Sequence, residues 1–324
     1  MPSLAFIGCG TITQKHSKLL RKIAPSLQRY YASRNAEKAS DANRSLKGAG
    51  SFGSYGDAIA SPDIDAVFIC TPPDKHFRLA MDALAEGKHV LVEKPPFLSV
   101  AEFDEVAEAA EAAGKMLYVA ENYYYKPLAG VLRRILKEEA VGRPLFLMIN
   151  ALKEQKTQDW RDEPSLAGRG ALFEGGIHWV DVLANLGPSI MDVAAFRPGS
   201  QEGLDRSTLF VATYDNQMVG TLVYSWEVPT LFKGLRISRL FGTEGSVTFE
   251  TNGLFVIVRG RRRRILFPGL SDISGYKAML TDVVACLETG SAPQMPLSAA
   301  RRDLVLVEHA YRNMDSKSSI TPTL

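Results

Sequence analysis

Cysteine is scarce: Cys9, Cys70 and Cys286 are the only three in 324 residues. None has C-x-x-C spacing, which argues against a disulfide framework or a zinc site and fits a reducing compartment. Long apolar runs are missing too. No stretch approaches the roughly 20 residues that cross a bilayer. The opening "MPSLAFIGCG" enters a strand without the charged region or cleavage site of a signal peptide, so a cytoplasmic protein without membrane contact is expected. Nor does either charge dominate. With 38 basic and 36 acidic residues and a net charge of +2, nothing directs the chain to nucleic acid. His16, His89 and His309 lack carboxylate or histidine partners at ligand spacing, and no metal site is readable. The loudest charge run, "VRGRRRRILF", lies between strand-like segments and reads as a hairpin turn with a solvated, edge-protecting face.

What is present is material for a large core, 46% of the chain being hydrophobic, enough for two domains. The first third alternates short apolar runs with helical patterns. "LAFIGCG", "LQRYYASR", Ala66 to Cys70, "HVLVEKP" and "MLYVAEN" read as strands. Thr13 to Ile23, Asn35 to Lys47, His76 to Glu86 and Val100 to Ala113 read as helices. This rhythm predicts parallel βαβ units and a doubly wound sheet, and the Val-rich strands suit burial on both faces. After Glu121 the rhythm changes. Leu128 to Glu139 and Ile177 to Leu186 are helical, strands dominate from Met191 to Phe267, and Gly275 to Glu288 and Ala299 to Met314 close the chain. The expectation is an α/β protein. Residues 1–121 are expected to form the domain with the doubly wound parallel sheet, and residues 122–324 a second domain with a large, open, mostly antiparallel sheet.

"GCGTIT" follows a strand and opens a helix. Gly8 allows a tight turn, Gly10 lets the backbone approach a pyrophosphate, and the helix start at Thr11 and Ile12 adds amides and dipole. The third glycine of G-x-G-x-x-G is replaced by Thr13, which weakens the motif without removing a dinucleotide site. The acid that usually ends the second strand and holds the ribose hydroxyls is also missing. Ser33 stands there and Arg34 follows, with Lys38 in reach. A hydroxyl and a guanidinium suit a 2′-phosphate that an acid would repel, so NADP(H) is expected to be preferred and NAD(H) is the alternative.

"FIGCGTITQKH", "ICTPPDKHFRLAMDALAEGKHVLVEKP", "VAENYYYKP" and "GRGALFEGGIHWVDVL" together resemble the glucose–fructose oxidoreductase / inositol dehydrogenase / MocA family over essentially the whole chain. The resemblance implies an N-terminal Rossmann domain followed by a C-terminal α/β domain with an open sheet, and hydride transfer between a nicotinamide and a carbon of a sugar-like small molecule. It places Lys94 of the glutamate–lysine–proline motif at the nicotinamide end of the cofactor, beside Glu93, touching the substrate oxygen. It also implies a cis bond at Lys94–Pro95. His178 falls where the family has its acid/base histidine. An imidazole, with a pKa near 6.5, can move a proton at neutral pH. Glu174, four residues earlier, departs from the common aspartate and would either orient His178 or bind a substrate hydroxyl. Gly175 and Gly176 make a regular helical turn between the two doubtful. Asp181 reads as a helix-surface or structural acid.

By the same analogy Thr71 and Pro72 lie beside the pyrophosphate and ribose. His76 is counted among the cofactor contacts, although a structural role competes. Asn122 would meet the nicotinamide, Trp160 and Arg161 would lie over the cofactor, and Tyr124 would either line the substrate pocket or pack in an inter-domain hinge. The family's open sheet usually mediates assembly, which implies a homodimer or homotetramer. Two other readings compete: a non-catalytic nucleotide-binding sensor of the same fold, and an enzyme for an aromatic diol or a tetrapyrrole. The joint presence of Lys94 and His178 argues against the sensor.

Overall fold

Fully buried strands organise the first part of the chain. In the computed structural model, which describes residues 2–157, 159–199, 203–230 and 235–317, strand β1 (Ser3–Ile7) is buried along its whole length. It leads into helix α1 (Thr11–Ile23), β2 (Gln28–Ala32), α2 (Ala36–Leu46), β3 (Gly50–Phe52), α3 (Tyr55–Ala60), β4 (Ala66–Ile69), α4 (His76–Ala85), β5 (His89–Glu93), α5 (Val100–Ala112) and β6 (Leu117–Ala120). The six strands pair in parallel in the order β3-β2-β1-β4-β5-β6. Strand order reverses between β1 and β4, which puts the ligand crevice of such a sheet at their carboxyl ends. Gly8 and Thr71 stand there. Phe6 stacks on Tyr31 at 5.7 Å and on Phe68 at 5.6 Å. Burying each such ring contributes about 1.5–3 kcal/mol.

The second sheet is built on alternation. It follows α6 (Pro127–Lys137) and begins with β7 (Pro144–Leu152). Then come α7 (Pro164–Ala167), α8 (Ile177–Ala184), β8 (Ile190–Phe196), β9 (Ser207–Tyr214), β10 (Val219–Ser225), β11 (Ile237–Gly242), β12 (Gly245–Glu250), β13 (Val256–Arg259) and β14 (Arg264–Leu266). The order is β14-β13-β12-β11-β7-β10-β9-β8, antiparallel throughout except for the parallel pair β7–β10. In β7, Leu147, Ile149 and Ala151 are buried, while Phe146 and Met148 are 53% and 51% exposed. Strand alternation of this kind buries one face and leaves the other open.

The arginine run forms the expected hairpin. β13 and β14 pair antiparallel around it, and Arg261 and Arg264 fasten it to Glu244 and Glu138.

Two helices close the chain, α9 (Tyr276–Thr289) and α10 (Leu297–Lys317). The chain divides into two compact units, one comprising Met1–Glu121 with Tyr276–Arg301 and the other Asn122–Gly275 with Arg302–Leu324. α9 therefore belongs to the first unit, where it packs on α1. Among the described residues no helix is long and apolar enough to cross a membrane.

Candidate functional site

In the first unit the glycine turn is built as its motif requires. Gly8 has φ +107°, and a Cβ there would lie 2.9 Å from the Cys70 carbonyl oxygen, so only glycine fits. A Cβ on Gly10 would meet nothing within 4 Å. Thr13 is fully buried, and its hydroxyl donates to the Gly8 carbonyl at 2.6 Å. The residue replacing the third glycine thus ties the turn to the helix. α1 has no side-chain cap and no acid in its first turn, so its first amides are available to an anion. At the end of β4, the buried Thr71 hydroxyl oxygen has no hydrogen-bond partner. These features fit the pyrophosphate and ribose of a dinucleotide.

At the end of β2, Ser33 accepts from the Asn35 amide at 3.2 Å. Asn35 in turn caps α2 through the Lys38 amide. Arg34 and Lys38 are exposed. The Tyr55 hydroxyl is hydrogen-bonded to Arg34, and burial raises the phenol's pKa. Tyr55 was not singled out from sequence, because its 21-residue separation from Arg34 is bridged only by the β2–β3 pairing.

Lys94 follows β5 and is half-buried, and the Lys94–Pro95 bond is cis. Its amide donates to Glu93 Oε2 at 3.2 Å. His16, which has no partner at ligand spacing in the sequence, meets a carboxylate through space: its Nε2 lies 2.5 Å from Glu93 Oε1, with His16 fully buried and stacked on Phe68 at 4.8 Å. Their separation of 77 positions hides the pair from any spacing rule. His76 is also buried. Its Nε2 faces the Thr71 carbonyl at 2.9 Å, and its Nδ1 faces the Pro95 and Pro96 carbonyls at 3.1 and 3.0 Å. Burial pushes its pKa below the ordinary histidine value, and the carbonyls act in the opposite sense. His76 thus links the strand end at Thr71 to the segment after Lys94.

In the second unit, Leu172–Gly176 form a π-helix that runs directly into α8. Such wide turns recur at functional sites, and this one replaces the regular turn that Gly175 and Gly176 made doubtful. A Cβ on Gly175 would lie 2.1 Å from the Tyr224 hydroxyl, so glycine lets that ring approach. The start of the segment is held from outside. Asp205 accepts the Leu172 amide at 3.0 Å and the Thr208 hydroxyl at 3.1 Å. The Tyr311 hydroxyl donates to Asp205 at 2.5 Å and accepts the Phe173 amide at 3.2 Å.

Glu174 is buried and accepts Arg161 Nε at 3.1 Å. Arg161 also pairs with Asp159 and lies 4.4 Å from the Trp160 ring. His178 is half-buried and stacks on Tyr123 at 4.3 Å with an interplanar angle of 14°. Asp181 is fully buried rather than on the helix surface and accepts Asn185 Nδ2 at 2.6 Å. Asn122 is buried with its amide on the Ser274 carbonyl. Tyr124 stands under the Arg133 guanidinium at 5.7 Å. Among the described residues no group of three or more His, Cys, Asp or Glu could hold a metal ion.

A family model described as an oxidoreductase family with an NAD-binding Rossmann fold matches residues 3–121, and the GFO/IDH/MocA C-terminal domain matches residues 131–248. Levoglucosan dehydrogenase of Pseudarthrobacter phenanthrenivorans is 28% identical over 193 residues, 56% of this chain and 50% of that protein. The D-xylose 1-dehydrogenase (NADP(+)) of Hypocrea jecorina is 33% identical over 142 residues, 40% of this chain and 36% of that one. The matches thus span half or less of these two curated relatives. A solved structure of levoglucosan dehydrogenase, complexed with NADH and levoglucosan, superposes with a TM-score of 0.85 at 21% identity, covering 98% of each chain. That likeness shows the fold. With both domain models matched in order along it, the chain belongs to the GFO/IDH/MocA family of oxidoreductases.

Proposed function

We propose that the protein is an NADP(H)-dependent oxidoreductase acting on a CH–OH or C=O carbon of a sugar, polyol or sugar-derived small molecule. The observation that carries this reading is the uncapped start of α1 behind Gly8 and Gly10, in a parallel sheet whose β5 ends at Glu93, directly before Lys94. The named sugar dehydrogenases among the relatives support the substrate class. When bound, the nicotinamide supplies or takes the hydride. The chain's own residues do the rest. The glycine turn and Thr71 hold the dinucleotide. Lys94 hydrogen-bonds the reacting oxygen and stabilises the charge that develops on it. A ring nitrogen of His178 takes the hydroxyl proton or returns it.

The cofactor preference rests on Ser33, Arg34 and Lys38 in place of an acid at the end of β2. In fluorescence titrations with each reduced cofactor, NADPH is expected to bind about tenfold tighter than NADH, the gain of roughly one charge-assisted phosphate contact. A Kd for NADH equal to or below that for NADPH overturns this preference and leaves the fold untouched.

A second copy of the chain is the proposed partner, covering the open face of the large sheet. Phe146 and Met148 on β7 share that face with Val223 on β10, which is 38% exposed, and with Phe241 on β11. An apolar face of this kind is costly to leave in water. Light scattering is expected to give a multiple of the 35.5 kDa chain mass; a strictly monomeric mass at assay concentration refutes the assembly.

A further inference from the structure

The proton-exchanging role of His178, on which this inference rests, leaves open what sets the state of the imidazole. The second unit contains a device next to it. Tyr123 lies flat on the His178 ring at 4.3 Å and meets Trp179 edge-on at 5.0 Å. Lys126 Nζ stands 4.4 Å from the Tyr123 ring centre and 6.0 Å from that of Trp179. Lys126 is only 3% exposed, and its Nζ donates to the Ile273 carbonyl at 2.9 Å. An ammonium is drawn to an aromatic face, and more strongly where water is excluded. Both Tyr123 and Lys126 fall between the two stretches matched by the family models.

We propose that Lys126 is a positioning residue for His178: its ammonium holds the Tyr123 ring flat on the imidazole and keeps that imidazole unprotonated at neutral pH, ready to accept a proton. Protonating His178 would place a second positive charge behind the same ring, in a region of reduced dielectric.

Three other titratable groups on the same elements of this unit bear on that effect. Glu174, four residues earlier on the π-helix, would favour the imidazolium, but its carboxylate is engaged by Arg161 at 3.1 Å. Asp181, three residues later on α8, is fully buried and engaged by Asn185. Tyr224 on β10, electrostatically coupled to both Glu174 and Tyr123, is kept a neutral phenol by burial. An imidazole poised as a base suits the oxidising direction. The substrate hydroxyl proton would pass to the ring nitrogen, and a bound oxidised nicotinamide would supply the acceptor for the carbon's hydride, which leaves a carbonyl.

The test is an NMR pH titration of the full-length protein carrying ¹³Cε1-labelled histidine. The chain has five histidines, and a His178→Asn variant assigns the signal. In the wild type, His178 is expected to titrate below the ordinary value of about 6.5, with its signal shifted upfield by the Tyr123 ring. Lys126→Met and Lys126→Gln are each expected to raise the value by about one pH unit, and Lys126→Arg to restore it. The glutamine variant retains a donor for the Ile273 carbonyl, which guards against simple loss of the fold. An unchanged value in a folded neutral variant overturns the proposal. If neither neutral variant folds, a wild-type value at or above the ordinary one does the same. Because no turnover is measured, this result and a failure of the His178 mechanism are separately visible.

Discussion

Replacing His178 by alanine is expected to lower kcat by about 10²–10⁴-fold, the usual contribution of a positioned acid/base group, while the Kd for the cofactor stays within about twofold of wild type. The split follows from where the groups reside. The glycine turn, Thr71 and Ser33–Arg34 belong to the first unit, and His178 belongs to the second. Its imidazole faces Tyr123, a contact that orients the ring but leaves it half-exposed, so truncation removes a proton carrier without opening a cavity in the core. The measurement is steady-state turnover with the best substrate from a panel of aldoses, anhydro-sugars and polyols, paired with cofactor titration of the same preparation. An unchanged kcat would dismiss His178. A parallel loss of cofactor binding would mean that the residue is structural.

Gly170→Ala is expected to destabilise the protein by about 3–4 kcal/mol, the sum of overpacking and broken hydrogen bonds. An added Cβ would lie 2.2 Å from the backbone oxygen of Asp205, 2.2 Å from its Oδ1 and 2.5 Å from its amide nitrogen. Backbone atoms cannot swing aside as the tip of a lysine can. Asp205 is itself pinned, its carbonyl accepting the Ala171 amide at 2.7 Å and its carboxylate accepting Leu172, Thr208 and Tyr311. Relief of the clash must therefore loosen the bonds that seat the π-helix. Urea denaturation of the purified variant checks this through its midpoint at constant slope. A loss below about 1 kcal/mol would show that the segment yields locally, and that Asp205 does not constrain it.

Much of this was readable in the sequence where the cause is local. Gly8 and Gly10 after a buried strand marked the glycine turn, and four consecutive arginines between β-prone runs marked the hairpin. The paired glycines 175 and 176 warned of an irregular turn. What escaped was non-local. No periodicity could join His16 to Glu93 across 77 residues or Tyr311 to Asp205 across 106, because burial supplies those partners only once the strands have paired. The parallel β7–β10 pair escaped for a related reason. An alternating strand pattern states which face is buried, not which neighbour it takes or in what direction. The placement of α9 beside α1 likewise depends on a chain return that helical periodicity does not encode. Of the two readings of Asp181, its burial against Asn185 fits the structural acid and not the helix-surface one.

The Tyr311 hydrogen bond to the Phe173 amide spans 138 residues, and this imposes an order on synthesis. As the chain leaves the ribosome, Glu174 and His178 emerge long before the tyrosine that steadies the start of their segment. Closing so long a loop is slow compared with forming helices and hairpins. The wide helical turn that carries Glu174, and runs into the helix of His178, therefore gains this partner late. The start of that turn is fixed by α10, not by the strands and helices that immediately surround it in sequence.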